Sequence, residues 1–362
     1  MNVDELRVSA FTIPTEEPES DGTLTWETTT VVVAEATAGD TTGLGFTYGA
    51  KACATLIDEK LAGTVAGHDA MDVPGAWSRM VAEVRNVGRP GIASHAIAAV
   101  DTALWDLKAR LLEMPLFRLL GAVRDEVPVY GSGGFCSYSE QRLADQLGGW
   151  VHDQGIPRVK MKIAAGWGED PGRDIKRVTL AREAVGSGAE LMVDANGGYT
   201  RKQAVAVARE VAPLGVTWFE EPVSSDDLEG LSEIRGLTEL EIAAGEYGYD
   251  SWYFRRMAPH VDVLQPDVSR CMGITEWLRC AAVAASFNLE VSAHCAPSLH
   301  AHPACAVPNL RHVEYFHDHH RVDRILFDGV LDPQGGVLRP DPGRPGMGLE
   351  LKRADAERYR EA

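Results

Sequence analysis

Three acidic residues recur at equal intervals along the chain. Asp194, Glu220 and Glu246 are each 26 residues apart. Each lies at or near the end of a short apolar run: 190–196 (ELMVDAN), 216–222 (VTWFEEP) and 241–246 (EIAAGE). That interval fits one βα unit, so equivalent positions on three consecutive units would face a common point. Three carboxylates gathered away from water repel one another, and a hard divalent cation offsets the repulsion. Oxygen-only ligation suits one Mg²⁺ per subunit, with Mn²⁺ as a substitute, better than Zn²⁺. Asp194, Glu220 and Glu246 are therefore the expected metal ligands. The competing reading makes them solvated acids that cap the next helix. It suits one such residue better than three in phase.

Four further strand ends carry chemistry-bearing residues. Lys160 and Lys162 are two apart, so both point to one side of a strand. A lysine beside another cation has a lowered pKa and can act as a base. Asp267 and His294 close neighbouring runs, and a carboxylate beside imidazole fixes its tautomer and raises its basicity. Glu314 sits on the last run and is expected at the same site. The plainer alternatives are an exposed lysine pair and a satisfied core histidine. A zinc hydrolase is a rival of another class, because seven histidines fall between His294 and His320. Those histidines lack an H-x-x-x-H pair on one clear helix, and the acid trio favours a harder ion. A non-catalytic binding barrel would need neither two bases nor a metal.

The elements that must position these residues follow from the apolar pattern. Eight short runs alternate with helix-sized segments: 127–132, 158–163, 190–196, 216–222, 241–246, 261–267, 290–295 and 310–316. Segments 173–185, 201–211 and 273–286 are examples of the predicted helices between them. Eight alternating units match a (β/α) barrel, whose strand ends converge on one mouth. The segment after the eighth strand is expected to be irregular. The first fifty residues read as strands, including the β-branched run 28–35 and the Gly-broken, strand- or loop-like 41–48. An acidic Pro/Gly-containing loop is expected at 14–22. Helices follow, the clearest at 94–112. Strands and then helices imply a small α+β domain over residues 1–122, ahead of a barrel over 123–340. The tail, 341–362, is expected to return to the small domain.

The formal net charge of −18 argues against nucleic acid and anionic membrane surfaces as partners. A small anionic substrate is compatible, because a metal and two lysines can reverse the local potential. Six cysteines form no C-x-x-C pair and read as reduced thiols. The start of the chain shows no basic-then-apolar leader and no run of roughly 20 apolar residues, so a cytoplasmic protein is expected.

Taken jointly, the segments VKMKI (159–163), VDAN (193–196), FEEP (219–222), AGE (244–246), QPD (265–267) and SAH (292–294) resemble the enolase superfamily, in its mandelate racemase-like subgroup. The helical stretch 103–121 (ALWDLKARLLEMPLFRLLG) extends the resemblance over most of the chain. It implies an α/β fold, a modified TIM barrel of (β/α)₇β type under an N-terminal α+β capping domain. Cap loops at 14–22 and 43–48 would close the site. It also implies roles. Lys162 is a base on one face of a carboxylate substrate, and Lys160 steadies that carboxylate. The Asp267–His294 pair is the acid/base of the opposite face. Glu314 donates a hydrogen bond to the enediolate oxygen, and Asn196 and Arg270 are candidate substrate contacts. Mg²⁺ would support α-proton abstraction.

Lactonising and dipeptide-epimerising relatives carry a base lysine on the sixth strand. Here the segment is QPDVSRCMG, which points to the racemase-like branch with its acid-sugar dehydratases. Its usual paired glycine is Met272–Gly273 in this chain. Within that branch the expected reaction is dehydration of a sugar acid to a 2-keto-3-deoxy acid. Racemisation or epimerisation of a 2-hydroxy acid is the alternative. A homo-oligomer is implied by the resemblance alone.

Overall fold

The computed structural model describes residues 1–361. The chain opens with an antiparallel sheet in the order β1 (Glu5–Ser20), β2 (Thr25–Ala38), β3 (Thr41–Tyr48). The β-branched run of β2 takes the middle of the sheet, where stiff side chains pack well. The long helix Ile92–Leu111 lies on this sheet. Gly43 and Gly45 make the contact possible. A Cβ on Gly43 would lie 2.3 Å from the Ala103 carbonyl oxygen, and one on Gly45 would lie 2.2 Å from that of Ala99.

Two expectations are corrected here. Residues 14–20 are not a loop but a continuation of β1, with a register break between Pro14 and Glu19. Proline is tolerated because β1 is an edge strand. Residues 43–48 are strand, not a closing loop. Their end reaches the barrel: Phe46 stacks on Phe327 (centroids 4.7 Å apart), Thr47 Oγ1 donates to the Ser269 carbonyl (2.7 Å), and Tyr48 Oη bonds to Asp323 and lies 3.2 Å from the His319 carbonyl.

Eight parallel strands then close on themselves: β4 (Val127–Gly133), β5 (Arg158–Lys162), β6 (Glu190–Asp194), β7 (Val216–Glu220), β8 (Glu241–Ala244), β9 (Val263–Leu264), β10 (Glu290–Ala293) and β11 (Leu310–Phe316), the last pairing with β4. A helix bridges each pair of successive strands. Another, His317–Leu326, follows β11 where irregular chain is expected, and it buries His319, Val322, Asp323 and Leu326 on one side.

Inside the barrel, Tyr130, Met192, Trp218, Ala243 and Val263 form an apolar layer, each from a different strand. The two-residue period of a strand puts Asp194 above Met192 and Glu220 above Trp218 on the same inner face. The layer is a solvent-inaccessible floor under the polar groups. Truncating Met192 to Ala would cost about 2–5 kcal/mol.

After the barrel the chain runs back to the cap. Residues Glu350–Leu351 pair with Phe327–Asp328, Arg360 bridges Phe11, and the Glu361 amide donates to the Ala10 carbonyl (2.9 Å). The six cysteines are buried and free. Among the described residues no helix is long and apolar enough to cross a membrane.

Candidate active site and metal centre

The strand ends bring the expected residues to one mouth. Lys160, Lys162, Asp194, Glu220 and Glu314 lie on strands, while Glu246, Asp267 and His294 lie one to three residues past a strand end. All are buried, and Lys160, Asp194, Glu220, Asp267 and Glu314 show no accessible surface.

Lys160 Nζ donates to both oxygens of Glu220 (2.6 Å each) and lies 2.8 Å from Glu314 Oε1 and 3.7 Å from Asp194 Oδ2. Lys162 bonds to Asp194. Glu220 Oε2 also accepts from Gln265 Nε2 (2.7 Å) and Trp218 Nε1 (3.2 Å). His294 Nδ1 is 2.9 Å from Asp267 Oδ2. Its Nε2 faces Glu246 Oε2 at 3.6 Å, Glu314 Oε2 at 3.8 Å and the Cys295 thiol at 3.3 Å.

Charge accounts for the proton affinities. Burial disfavours the charged forms of Lys160 and Lys162, yet facing carboxylates hold both well above the usual lysine value. The lowering expected from their mutual proximity is thus outweighed by Glu220, Glu314 and Asp194. Burial raises Asp194, but Lys162 and Lys160 bring it below the normal range. Glu220 is pushed up to about 8 by burial and by Asp194. Burial and Glu246 push Glu221 up as well. Burial opposes the His294 cation, while Glu246 and Asp267 favour it, and the net shift is upward.

Lys160 and His294 overcome the burial of Glu314 and hold its carboxyl well below the usual carboxylate range, and it accepts the Cys295 amide (2.8 Å). An ionised carboxylate only accepts hydrogen bonds. The donor role implied for Glu314 therefore requires a proton from a neighbour.

Six carboxylates (Asp194, Glu220, Glu221, Glu246, Asp267, Glu314) share this space with three fixed cations (Lys160, Lys162, Arg270). The excess of acid fits a cation. Buried Glu246 Oε2 and Glu221 Oε1 lack a hydrogen-bond partner, which fits one again. Donor atoms of Glu220, Glu246 and His294 lie within 4.8 Å of one another. Asp194 is outside that group, drawn to Lys162 on the neighbouring strand. A second group within the same limit is His294, Cys295 and Glu314.

Asn196 Oδ1 is buried without a partner, so it is free to meet a ligand. Arg270 is occupied, bonding to Glu246 Oε1 (3.2 Å) beside Asp267 Oδ2 (3.6 Å). Met272 takes φ +62°, a left-handed conformation that glycine adopts more cheaply.

On the cap side, Trp26, Phe135, Tyr138, Phe316 and Cys295 form an apolar wall. The Phe316 ring stands 5.9 Å from Lys162 Nζ. Glu19 ends this wall. It is 1% exposed and accepts from Trp26 Nε1 (3.0 Å). Burial and Asp318 push its carboxyl up to about 8. The cap segment that carries it is seated on the barrel by Gly22, where a Cβ would lie 2.5 Å from the Ala195 carbonyl oxygen.

Sequence reasoning missed Gln265, Cys295 and Glu19 as neighbours of the site. Only Gln265 had a periodic signal, standing two before Asp267. Of the histidines between His294 and His320, only His294 joins the acid cluster. His302 accepts from the Phe117 amide (3.2 Å), His312 pairs with Ser292 (2.8 Å) and His320 with Asp332 (3.1 Å).

Residues 7–121 match the mandelate racemase / muconate lactonizing enzyme N-terminal domain, and residues 142–356 match the enolase C-terminal domain-like family. A 3,6-anhydro-alpha-L-galactonate cycloisomerase of Streptomyces coelicolor is 32% identical over 96% of this chain and 97% of its own length. An L-talarate/galactarate dehydratase of Salmonella typhimurium is 30% identical over 89% of this chain and 80% of its length. Among solved structures, a mandelate racemase/muconate lactonizing enzyme-like protein from Rubrobacter xylanophilus covers both chains fully, with TM-score 0.97 and 53% identity. A racemase from Streptomyces coelicolor with bound magnesium has TM-score 0.93 at 30% identity, covering 99% of this chain and 100% of its own.

Proposed function

The chain belongs to the mandelate racemase / muconate lactonizing enzyme family of the enolase superfamily, and on that premise we propose that it removes the α-proton of a sugar acid and expels the β-hydroxyl, giving a 2-keto-3-deoxy acid. The observation that carries this reading is the order around the mouth. Lys162 on β5 and His294 after β10 flank an arc of acids on β6, on β7 and just after β8. A carboxylate substrate set against that arc would meet a proton-transfer group on each side.

Asp194, Glu220 and Glu246 are the proposed ligands of Mg²⁺, with His294 close to the last two. When bound, a hard divalent cation would offset the acid excess and stabilise the enediolate's charge. Lys160 steadies the substrate carboxylate. Lys162 takes the α-proton from one face once its hold on Asp194 is loosened and its own proton has been given up. His294, oriented by Asp267, serves the other face and gives a proton to the leaving hydroxyl. Asn196 offers its free oxygen to a substrate hydroxyl. Dehydratases and cycloisomerases both occur among the similar proteins, and a two-faced site also allows racemisation or epimerisation.

The test is a screen of sugar acids with Mg²⁺ in D₂O. Loss of one water supports dehydration, whereas deuterium gain without that loss supports racemisation. Lys162→Ala and His294→Ala should each abolish turnover while metal still binds, and retained turnover in both would remove their assignment. Asp194→Asn should weaken Mg²⁺ binding sharply. The His294–Cys295–Glu314 group supports a zinc reading instead, which activity restored by Zn²⁺ but not Mg²⁺ after EDTA treatment would favour.

A further inference from the structure

The Asp267–His294 pair stands on two chain segments that leave the barrel ladder early. Backbone pairing between β9 and β10 ends at Leu264 and Val291. Beyond it the His294 amide reaches the Pro266 carbonyl at 3.3 Å. The turn after His294 is also unfavourable in itself. Cys295 and Ala296 have φ of +47° and +42°, left-handed values that cost non-glycine residues about 1–3 kcal/mol each. Such a turn persists only where its surroundings hold it.

One buried imidazole spans both segments. The Val268 amide, next after Asp267, donates to His300 Nε2 (2.9 Å). An amide can only donate, so Nε2 holds the lone pair and Nδ1 carries the proton. Nδ1 lies 2.9 Å from the Cys295 carbonyl, next after His294, and 3.1 Å from that of Ala296. The ring has no accessible surface and sits against Trp277, with centroids 5.8 Å apart. One side chain thus fixes the residue after the carboxylate and both residues of the strained turn after the imidazole.

We propose that His300 is a positioning residue, a staple that sets Asp267 and His294 in register for proton transfer on one substrate face. This rests on the two-faced reading above. A shift of about 1 Å between the segments would open the His294–Asp267 bond, and displacements of that size can cost about 10²-fold in rate. Lys162 stands on β5, untouched by the staple, so the effect should be confined to one face.

The experiment follows deuterium exchange of the α-proton in C2-epimeric pairs of six-carbon aldonates, with Mg²⁺ present. One epimer presents its proton to Lys162 and the other to His294. His300→Leu should lower exchange at the His294 face by about 10²-fold and leave the Lys162 face nearly unchanged. His300→Gln, whose amide keeps a donor and an acceptor on one planar group, should restore most of the loss. If His300→Leu does not fold, His300→Asn, with a shorter reach, should show the same one-sided loss. An equal fall on both faces, or no fall at the His294 face, overturns the staple. Absence of exchange with every pair in the unaltered protein instead defeats the two-faced reading, and the staple with it.

Discussion

Glu19→Gln should reverse part of the pH dependence of stability. The folded carboxyl titrates at about 8 against an ordinary 4.5, the displacement coming first from burial and then from Asp318. Its native pKa is raised, so its relative stabilisation is complete below the unfolded pKa and is lost as pH rises through the folded one. Between those limits the unfolded chain has released the proton and the native chain has not. Stability therefore falls by about 1.4 kcal/mol per pH unit from this group. From about pH 5 to about pH 7.5 the loss would be about 3 kcal/mol. Glutamine fits the same space, can still accept the Trp26 indole proton and does not titrate. Urea denaturation of both proteins at the two pH values should show the variant gaining on the parent by about that amount at the higher pH. A stability gap independent of pH would refute the reasoning, because it would mean that Glu19 ionises in the folded protein as it does in water.

Gly22→Ala should lift the cap segment, since its Cβ would meet the Ala195 oxygen at 2.5 Å and the Ile163 oxygen at 2.9 Å. A destabilisation of about 1–3 kcal/mol, with KM rising more than kcat falls, is expected from thermal melts and kinetics, and an unchanged KM would count against cap closure by this segment. Gly45→Ala puts a methyl 2.2 Å from the Ala99 oxygen and 2.3 Å from the Ala103 nitrogen. Helix and sheet must part, so a loss of about 3 kcal/mol or more is expected in urea, and parental stability would show that the two layers can slide.

The barrel was legible because its strands are short, apolar and bounded, and because three acids fall in phase one βα unit apart. The order of residues along each strand sufficed to send Asp194 and Glu220 inward above Met192 and Trp218. Residues 14–20 were misread because two prolines speak against a strand, and nothing local reveals that the strand lies at an edge. Glu19 sits among exposed acids in sequence, and its burial depends on Trp26 and the barrel-borne Phe135 wall. The lysines were expected to lower one another's proton affinity. That failed because the nearest charges are carboxylates from other strands, whose distances no spacing rule gives. His300 was one of seven histidines, and only its three backbone partners, 32, 5 and 4 residues away, set it apart.

The return of the tail to the first strand has a mechanical consequence. The cap is joined to the barrel by the covalent chain that leads into β4, and it is stitched to the far end of the same chain through Phe11–Arg360 and Ala10–Glu361. A body tied at both ends, and again through Thr47 and Tyr48, does not swing like a door. The stretch around Gly22 is held as well, by the Trp167 amide donating to the Gly22 carbonyl (2.8 Å), so the roof presents a fixed wall to the mouth.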